Sequence, residues 1–582
     1  MAALPQFDYL FAIGTIFSFL DAWNIGANDV ANSFATSVAS RSLTLKQAMM
    51  IASCMEFAGA MAVGAQVTET IRTKVISTKL FEGDPSVLML AMVCAIVGSS
   101  VWLTIATRFT MPVSTTHSIM GGVIGVGIAA VGAEGVNWGW GGVSQVFAAW
   151  VIAPGISGIF ASIIFLATKY GVMRRKNPVK NAFIAVPFYF FLTSALLTML
   201  IVWKGGSARI DLEDRELPGP IFGVGAGVAL LITVFFIPYL YRKILKDDWQ
   251  LKGWQVIQGP LLLRRPDPPA RPEGVQEGGI RDYYEGHLTR EELDAKRAAE
   301  GHSGDIERHP VGKGVETGTA ADKGGSSSDS EINPAPRPEG GNTLKDKPVD
   351  PKAAAPPGPW YAPAVLFFWA KYWFWHGVEQ EVVSAQGKRD FLSGDIEAIH
   401  ATGEHFNNEA EYTYSFLQIL TASTASFAHG ANDVSNAIGP YTTIYFVWQT
   451  NNISSSVPVP TWILAFGGAG IVVGLWTYGY NIMRALGNKI TLHSPSRGFS
   501  MELGSAITII MATKLKLPVS TTQCICGATV GVGFCNGTWR SINWRMVAWI
   551  YMGWFITLPC AGLISGLLMG IILNAPRWGA GI

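Results

Sequence analysis

The chain is built from long apolar blocks separated by short polar breaks; it is patterned in whole segments, not in alternate residues or narrow stripes. A helix that crosses a membrane needs ~20 mainly apolar residues. On that measure the blocks at 9–38, 47–69, 86–107, 113–133, 143–168, 181–203 and 219–241 are candidates in the first part of the chain. The pattern resumes at 412–437 and 460–483 and continues with a shorter block at 498–513, bounded by Arg497 and Lys514. A further segment follows Leu517 to about 537, and the last block is 546–574. The predicted class is an all-α polytopic membrane protein with about 12 membrane segments.

Between Lys246 and about Pro359 the residues turn to Pro, Gly, Ser, Lys, Glu and Asp. Such a stretch cannot bury enough apolar surface to fold, so it is expected to be mostly disordered. Tyr361–His376 interrupts it with a dense run of Trp, Phe and Tyr. That run is too short to span and rich in interface-seeking rings, which predicts a helix lying on the membrane surface. Four regions follow: 1–168, 169–245 with two connecting helices, a large loop at 246–411, and 412–582.

Composition agrees, with 49% hydrophobic and only 15% charged residues, where soluble domains carry nearer a quarter charged. The net charge of +1 says nothing about nucleic acid, because the charges sit in a few loops; no nucleic-acid partner is expected. Cys54, Cys94, Cys524, Cys526, Cys535 and Cys560 all fall in apolar segments and read as packing residues. Cys524 and Cys526 lack the further Cys or His that a transition-metal site would need. No Lys or Arg precedes the first block, and that block carries a polar motif, so a cleaved signal peptide is not expected. No catalytic constellation of an enzyme is visible.

The polar positions inside the blocks repeat. Gly26-Ala27-Asn28-Asp29-Val30-Ala31-Asn32 recurs as Gly430-Ala431-Asn432-Asp433-Val434-Ser435-Asn436. Pro112-Val113-Ser114-Thr115-Thr116 recurs as Pro518-Val519-Ser520-Thr521-Thr522, and Asn137-Trp138 recurs at the same offset as Asn543-Trp544. Five segments, two unrelated ones and five again is the simplest division. The two copies then begin an odd number of crossings apart and enter the membrane from opposite sides, which gives two inverted-topology repeats. The short 498–513 block fits the first arm of a re-entrant hairpin with its Ser-Thr-Thr tip at membrane depth, and the first half admits the same reading. A hairpin adds no net crossing, so the parity holds either way. Basic residues Lys169, Arg174, Arg175, Lys176 and Lys180, and again Arg242, Lys243, Lys246, Lys252, Arg264 and Arg265, place their loops in the cytoplasm and both termini outside. The sequon at Asn452 then faces outward and the one at Asn536 inward.

The aspartates are the costly feature. A carboxylate at mid-bilayer costs ~2.5–3.5 kcal/mol on the gentler insertion scale, so a cation, a donor network or a water-filled cavity must compensate it. Asp21, Asn24, Asn28 and Asn32 are spaced as one polar helix face, and Asn432 and Asn436 repeat its lower part. Oxygen ligands of this kind suit sodium or another hard cation, and they also serve as interhelical glue. In the second motif, proline starts a helix, and Ser or Thr just after it caps free N–H groups. A helix N-terminus with hydroxyls is an anion site, and two of them approaching from opposite sides would surround a tetrahedral oxyanion. Glu56 and Glu502 are further acids within apolar blocks, able to bind a cation, carry a proton or join a structural network. His117 and His429 stand beside the motifs as hydrogen-bonded neighbours, with no chain of histidines and acids that would relay protons.

These paired motifs, in halves of opposite sense around a large loop, resemble the PiT inorganic phosphate transporters over roughly 9–241 and 412–574. The pattern is most similar to the fungal phosphate-repressible, sodium-coupled permeases of the plasma membrane. The resemblance implies a secondary symporter that imports phosphate with sodium, two or more cations per phosphate, by alternating access. It implies phosphate at Ser114, Thr115, Thr116, Ser520, Thr521 and Thr522, sodium at Asn28, Asp29, Asn432 and Asp433, and coupling roles for the acids Glu56 and Glu502. No cofactor is implied; the expected partners are phosphate, sodium, the lipid bilayer, a second copy in a homodimer and regulators of the cytoplasmic loop. Gln523 departs from the pattern, standing where many relatives have a second histidine matching His117. A proton-coupled carrier of phosphate or a related oxyanion, and a phosphate sensor or receptor, stay open as alternatives.

Overall fold

Short polar side chains set the helix starts. Asp84 accepts from Ser86 N with Pro85 at the first helical position, Asn407 accepts from Ala410 N, and Asn543 from Met546 N. Ser114 accepts from His117 N just after the Pro112 break. Each satisfies a backbone donor that the helix cannot reach itself. The computed structural model describes the chain apart from residues 1–2, 30, 75–80, 82, 204–212, 214, 270–279, 300–355, 378–391, 455–456, 516, 518 and 576–582.

The main helices are α1 (Asp8–Asp29), α2 (Ala31–Ala39), α3 (Leu45–Lys74), α4 (Pro85–Arg108), α5 (Thr115–Val131), α6 (Val143–Thr168), α7 (Pro178–Trp203) and α8 (Pro218–Leu231, continued as far as Leu245). After the loop come α9 (Asn408–Thr450), α10 (Thr461–Leu486), α11 (Pro495–Lys514), α12 (Thr521–Phe534) and α13 (Trp544–Asn574). Among the described residues, eight helices are long and apolar enough to cross a membrane. The others of this set carry buried polar groups or are shorter: α9 holds His429 and Asp433, α11 holds Arg497 and Glu502, and α5 and α12 have 17 and 14 residues. The second motif was expected within a helix at 412–437, but α9 runs from Asn407, its cap, through Pro440 to Thr450.

Helix packing is reciprocal. α1 lies against α10 and α9 against α3; α5 lies against α13 and α12 against α6. Glycines mark the crossings. A Cβ on Gly26 would stand 1.9 Å from Ile471 O, and one on Gly474 1.9 Å from Trp23 O. Across the other pair, a Cβ on Gly430 would stand 2.2 Å from Glu56 O and one on Gly59 2.1 Å from Phe427 O. Gly125 over Gly562 and Gly531 over Gly158 repeat the device for α5 and α12. Without a hydrophobic force between helices in lipid, such close backbone contact is what holds them together. It also explains the glycine that opens each Gly-Ala-Asn-Asp motif.

The chain divides into two compact units, 1–293 with 373–582, and 294–372. The second contains most of a helix at Pro363–His376, within the aromatic run. The first half of the loop differs from the expected disorder. Residues 253–264 form 3-10 turns, Leu251 and Leu262 are buried, and so are Tyr283 and Tyr284. Arg41 binds Glu285 and Asn408 binds Asp282, while Tyr284 donates to Glu411 at 2.8 Å. Tyrosines and ion pairs anchored on the helix bundle supply the burial that the local composition lacks. Residues 300–355 of the expected loop lie outside the described residues.

Two expectations follow. Gly474→Val drives a side chain into the Trp23 carbonyl, so the variant should yield little monodisperse protein on size exclusion after detergent extraction. Near Tyr284, burial pushes His400 down to about 4, and burial together with neighbouring His400 pushes His287 down to about 3. Both are docked neutral, so the undocked state takes up protons first, and docking weakens as pH falls from about 6.5 towards 4. Limited proteolysis at Arg281 and Arg290 should accelerate over that window, with unchanged rates counting against it.

Candidate functional site

The two Asp-bearing motifs and the two Ser-Thr-Thr tips meet in one buried cluster. Asp29, at the end of α1, accepts from Thr115 Oγ1 at 2.8 Å, from Thr522 Oγ1 at 2.8 Å and from Asn32 Nδ2 at 3.0 Å. Asp433 in α9 accepts from Thr521 Oγ1 at 3.1 Å and from Asn436 Nδ2 at 3.5 Å. The asparagines cross between the halves. Asn32 Nδ2 reaches Thr522 Oγ1 at 2.8 Å, and Asn436 Nδ2 reaches Thr115 and Thr116 at 3.1 and 3.2 Å. Asn32 Oδ1 and Asn436 Oδ1 are both buried without a hydrogen-bond partner. Buried polar atoms of that kind call for an explanation, and here matched carbonyl oxygens stand beside matched carboxylates.

Charge is concentrated at this point. Donor atoms of Asp29, His429 and Asp433 lie within 4.8 Å of one another, all buried. Two carboxylates at that separation repel by about 3–4 kcal/mol at an effective dielectric of ~20. His429 answers part of this: Nε2 lies 2.9 Å from Asp433 Oδ2 and Nδ1 lies 2.6 Å from Glu56 Oε2. Glu56 also accepts from Ser426 Oγ at 2.8 Å. The Nδ1–Glu56 contact is a hydrogen bond, whereas Nε2 lies close to Asp433 without hydrogen-bond alignment, so the ring has a carboxylate on each side. Contrary to the expectation of no histidine–acid chain, Glu56, His429 and Asp433 form one. The i, i+4 spacing of His429 and Asp433 on α9 was the available signal; Glu56, from α3, had none.

The remaining expected residues divide. Asn28 is buried but turned to the end of α4: its Nδ2 donates to Thr107 Oγ1 and Met111 O, and its Oδ1 accepts from Val113 N. It holds the chain just before the first tip. Asn432 is half-buried and donates to Ala428 O in its own helix. Ser114 caps α5, while the buried Ser520 precedes α12 without a side-chain capping bond; Pro518 lies outside the described residues. Glu502 is in a separate pocket, accepting from Thr36 Oγ1 (2.5 Å), Ser37 Oγ (2.8 Å), Thr421 Oγ1 (2.5 Å) and Gln418 Nε2 (3.2 Å). His117 and Gln523 are both buried in the first turns of α5 and α12, without hydrogen-bond partners for their side chains. An apolar groove of about 880 Å³ along α6, α12 and α13 shares no residue with this polar centre.

Residues 25–565 match the phosphate transporter family. The chain belongs to that family. It is 58% identical to the phosphate-repressible phosphate permease pho-4 of Neurospora crassa, over 99% of both chains. It is 31% identical to sodium-dependent phosphate transporter 1 of Homo sapiens, over 98% of this chain and 97% of that one. Among solved structures it is similar to one titled the sodium-dependent phosphate transporter, with a TM-score of 0.63 at 25% identity, covering 98% of this chain and 100% of the other. These relatives are transporters and permeases, not enzymes, and the present transporter is a multi-pass membrane protein.

Chemically, the centre offers paired carboxylates and carbonyl oxygens for hard cations and two helix N-termini whose first N–H groups favour an anion. His429→Leu should leave Glu56 and Asp433 buried without their shared partner, a loss on the scale of ~3–5 kcal/mol. A clear drop in thermal unfolding temperature in detergent checks it. An unchanged melting curve would show that the pair is compensated in another way.

Proposed function

We propose that the protein is a secondary symporter that imports inorganic phosphate together with sodium by alternating access. The observation that carries this reading is the convergence of Thr115, Thr521 and Thr522 on Asp29 and Asp433, with Asn32 crossing between the halves to Thr522 and Asn436 to Thr115 and Thr116. Phosphate binds between the N-termini of α5 and α12, where Ser114, Thr115, Thr116, Ser520, Thr521 and Thr522 are gathered. Sodium binds at Asp29 and Asp433, with the oxygens of Asn32 and Asn436 as further ligands; Asn28 and Asn432 position the motifs. Glu56 and Glu502 act in coupling from beside the site.

The reciprocal packing of α1 on α10 with α9 on α3, and of α5 on α13 with α12 on α6, supports two inverted repeats of about five segments each. The repeats are 1–168 and 412–582, joined through 169–245 and the 246–411 loop, with about 12 membrane segments and hairpins ending at the two tips. The protein resides in the plasma membrane with the loop in the cytoplasm and both termini outside. A cytoplasm-negative potential opposes each entering negative charge by ~2.3 kcal/mol per 100 mV. Two or more sodium ions per monovalent phosphate reverse that sign, and they cancel the mutual repulsion of Asp29 and Asp433 that an anion would otherwise meet.

Phosphate uptake by reconstituted vesicles under imposed sodium or proton gradients tests the coupling ion, and uptake indifferent to sodium would sink the sodium assignment. The Glu56–His429–Asp433 chain favours a second reading, proton-coupled transport of phosphate, and the same assay separates the two. For the residues, Asp29→Asn and Asp433→Asn should each lower sodium-dependent uptake by ~100-fold or more while the protein still reaches the membrane, the scale of a lost buried charge. Thr522→Ser should keep most of the activity that Thr522→Val loses.

A further inference from the structure

Asp21 takes no part in the centre described above. It lies eight residues before Asp29 on α1, about 12 Å along the helix, and is fully buried. Its Oδ1 accepts from Ser100 Oγ at 3.3 Å, a hydroxyl that also donates to Phe17 O at 2.9 Å; the Ser99 hydroxyl beside the carboxyl group donates to Ser118 Oγ at 3.0 Å, and Asp21 Oδ2 has no hydrogen-bond partner. α1 contains no Lys or Arg, and the one basic residue of α4, Arg108, is two turns beyond Ser100. The second motif has Ala425 where the offset of the Gly-Ala-Asn-Asp copies would place a matching acid. This carboxyl group therefore belongs to one half alone.

Between Asp21 and the first tip the α1–α4 contact is a polar ladder. Asn24 Nδ2 donates to Ser100 O at 3.2 Å and to Thr104 Oγ1 at 3.0 Å, and Asn28 Nδ2 donates to Thr107 Oγ1 at 2.9 Å and to Met111 O at 3.1 Å. The last rung is Val113 N on Asn28 Oδ1 at 3.1 Å, two residues before Thr115, which donates to Asp29. Interhelical glue accounts for Asn24 and Asn28, whose amides are matched. It does not account for a carboxyl group at the ladder's end. A full charge there is expensive without a counter-charge, and its neighbours are uncharged oxygen groups.

We propose that Asp21, with the hydroxyls of Ser99 and Ser100, is a cation subsite separate from the Asp29–Asp433 centre, taking one monovalent hard ion of sodium type. Carboxylate and hydroxyl oxygens are the donors such an ion prefers. The ladder connects this ion to the first tip, so its binding biases the position of Pro112–Ser114 and hence the anion site. The inference rests on the sodium-coupled reading, and it adds a site that the two-motif symmetry does not contain.

The test is equilibrium binding of radioactive sodium to the purified full chain, with the sodium dependence of phosphate uptake in vesicles. Asp21→Asn should bind one ion fewer per chain than the wild type. Its half-maximal sodium concentration for uptake should rise by roughly tenfold, with a lower Hill coefficient. Ser100→Ala keeps the carboxyl group and should weaken sodium activation in the same direction, which covers the case in which Asp21→Asn fails to fold. Sodium binding and activation equal to wild type in both variants overturn the proposal. So does a change only in the pH dependence of uptake, which would make Asp21 a protonated acid. A wild type indifferent to sodium defeats the symport reading itself, whereas a sodium-dependent wild type with indifferent variants defeats only the Asp21 site.

Discussion

Two carboxylates buried next to each other in an apolar bundle are the constraint on which this structure depends. Asp29 and Asp433 come from opposite ends of the sequence, and their donor atoms lie within 4.8 Å of those of His429 and of one another. In such surroundings neither is tolerable without donors and positive charge. Every other feature of the centre answers that need. Three threonine hydroxyls and two carboxamides supply donors, and His429 lies against Asp433 while holding Glu56 at its other nitrogen. In the proposed symport, cations that enter with the anion offset this negative charge, which gives that reading a physical basis.

The scaffold delivers these groups by close helix crossings. Gly26 and Gly474 bring α1 onto α10, Gly430 and Gly59 bring α9 onto α3, and each crossing lies one turn from an aspartate. Both motif helices are thereby packed on the half of the molecule to which they do not belong in sequence. The same exchange sets the tips, since α5 rests on α13 and α12 on α6. The proposed alternating access would need a shift of these pairs that moves an aspartate and a tip relative to one another.

Much of the plan was readable from residue patterns because its causes are local. Segment length against bilayer thickness picks out the eight helices long and apolar enough to cross a membrane among the described residues, a Pro-Val-Ser sequence precedes α5 and α12, and repetition marks the motifs. Composition failed at 246–269 and 280–293, where Leu251, Leu262, Tyr283 and Tyr284 find their burial on distant helices. It also failed to rank the motif asparagines. Asn28 and Asn432 looked equivalent, as did Asn32 and Asn436, and it is Asn32 and Asn436 whose amides are seen to reach across to the opposite tip.

By itself, the sequence determined that this is a helical membrane protein with duplicated acidic and hydroxyl motifs, because an ionisable group inside an apolar run is costly wherever the chain goes. Tertiary structure alone decided which of those groups meet. The partners of Asp29, Asp433 and Glu56 are fixed by which helices cross and at what rotation, and that depends on glycine contacts hundreds of residues apart. The isolation of Asp21 is of the same kind. Its expense is visible in the sequence, but only the packed α1–α4 interface leaves one of its oxygens without a partner.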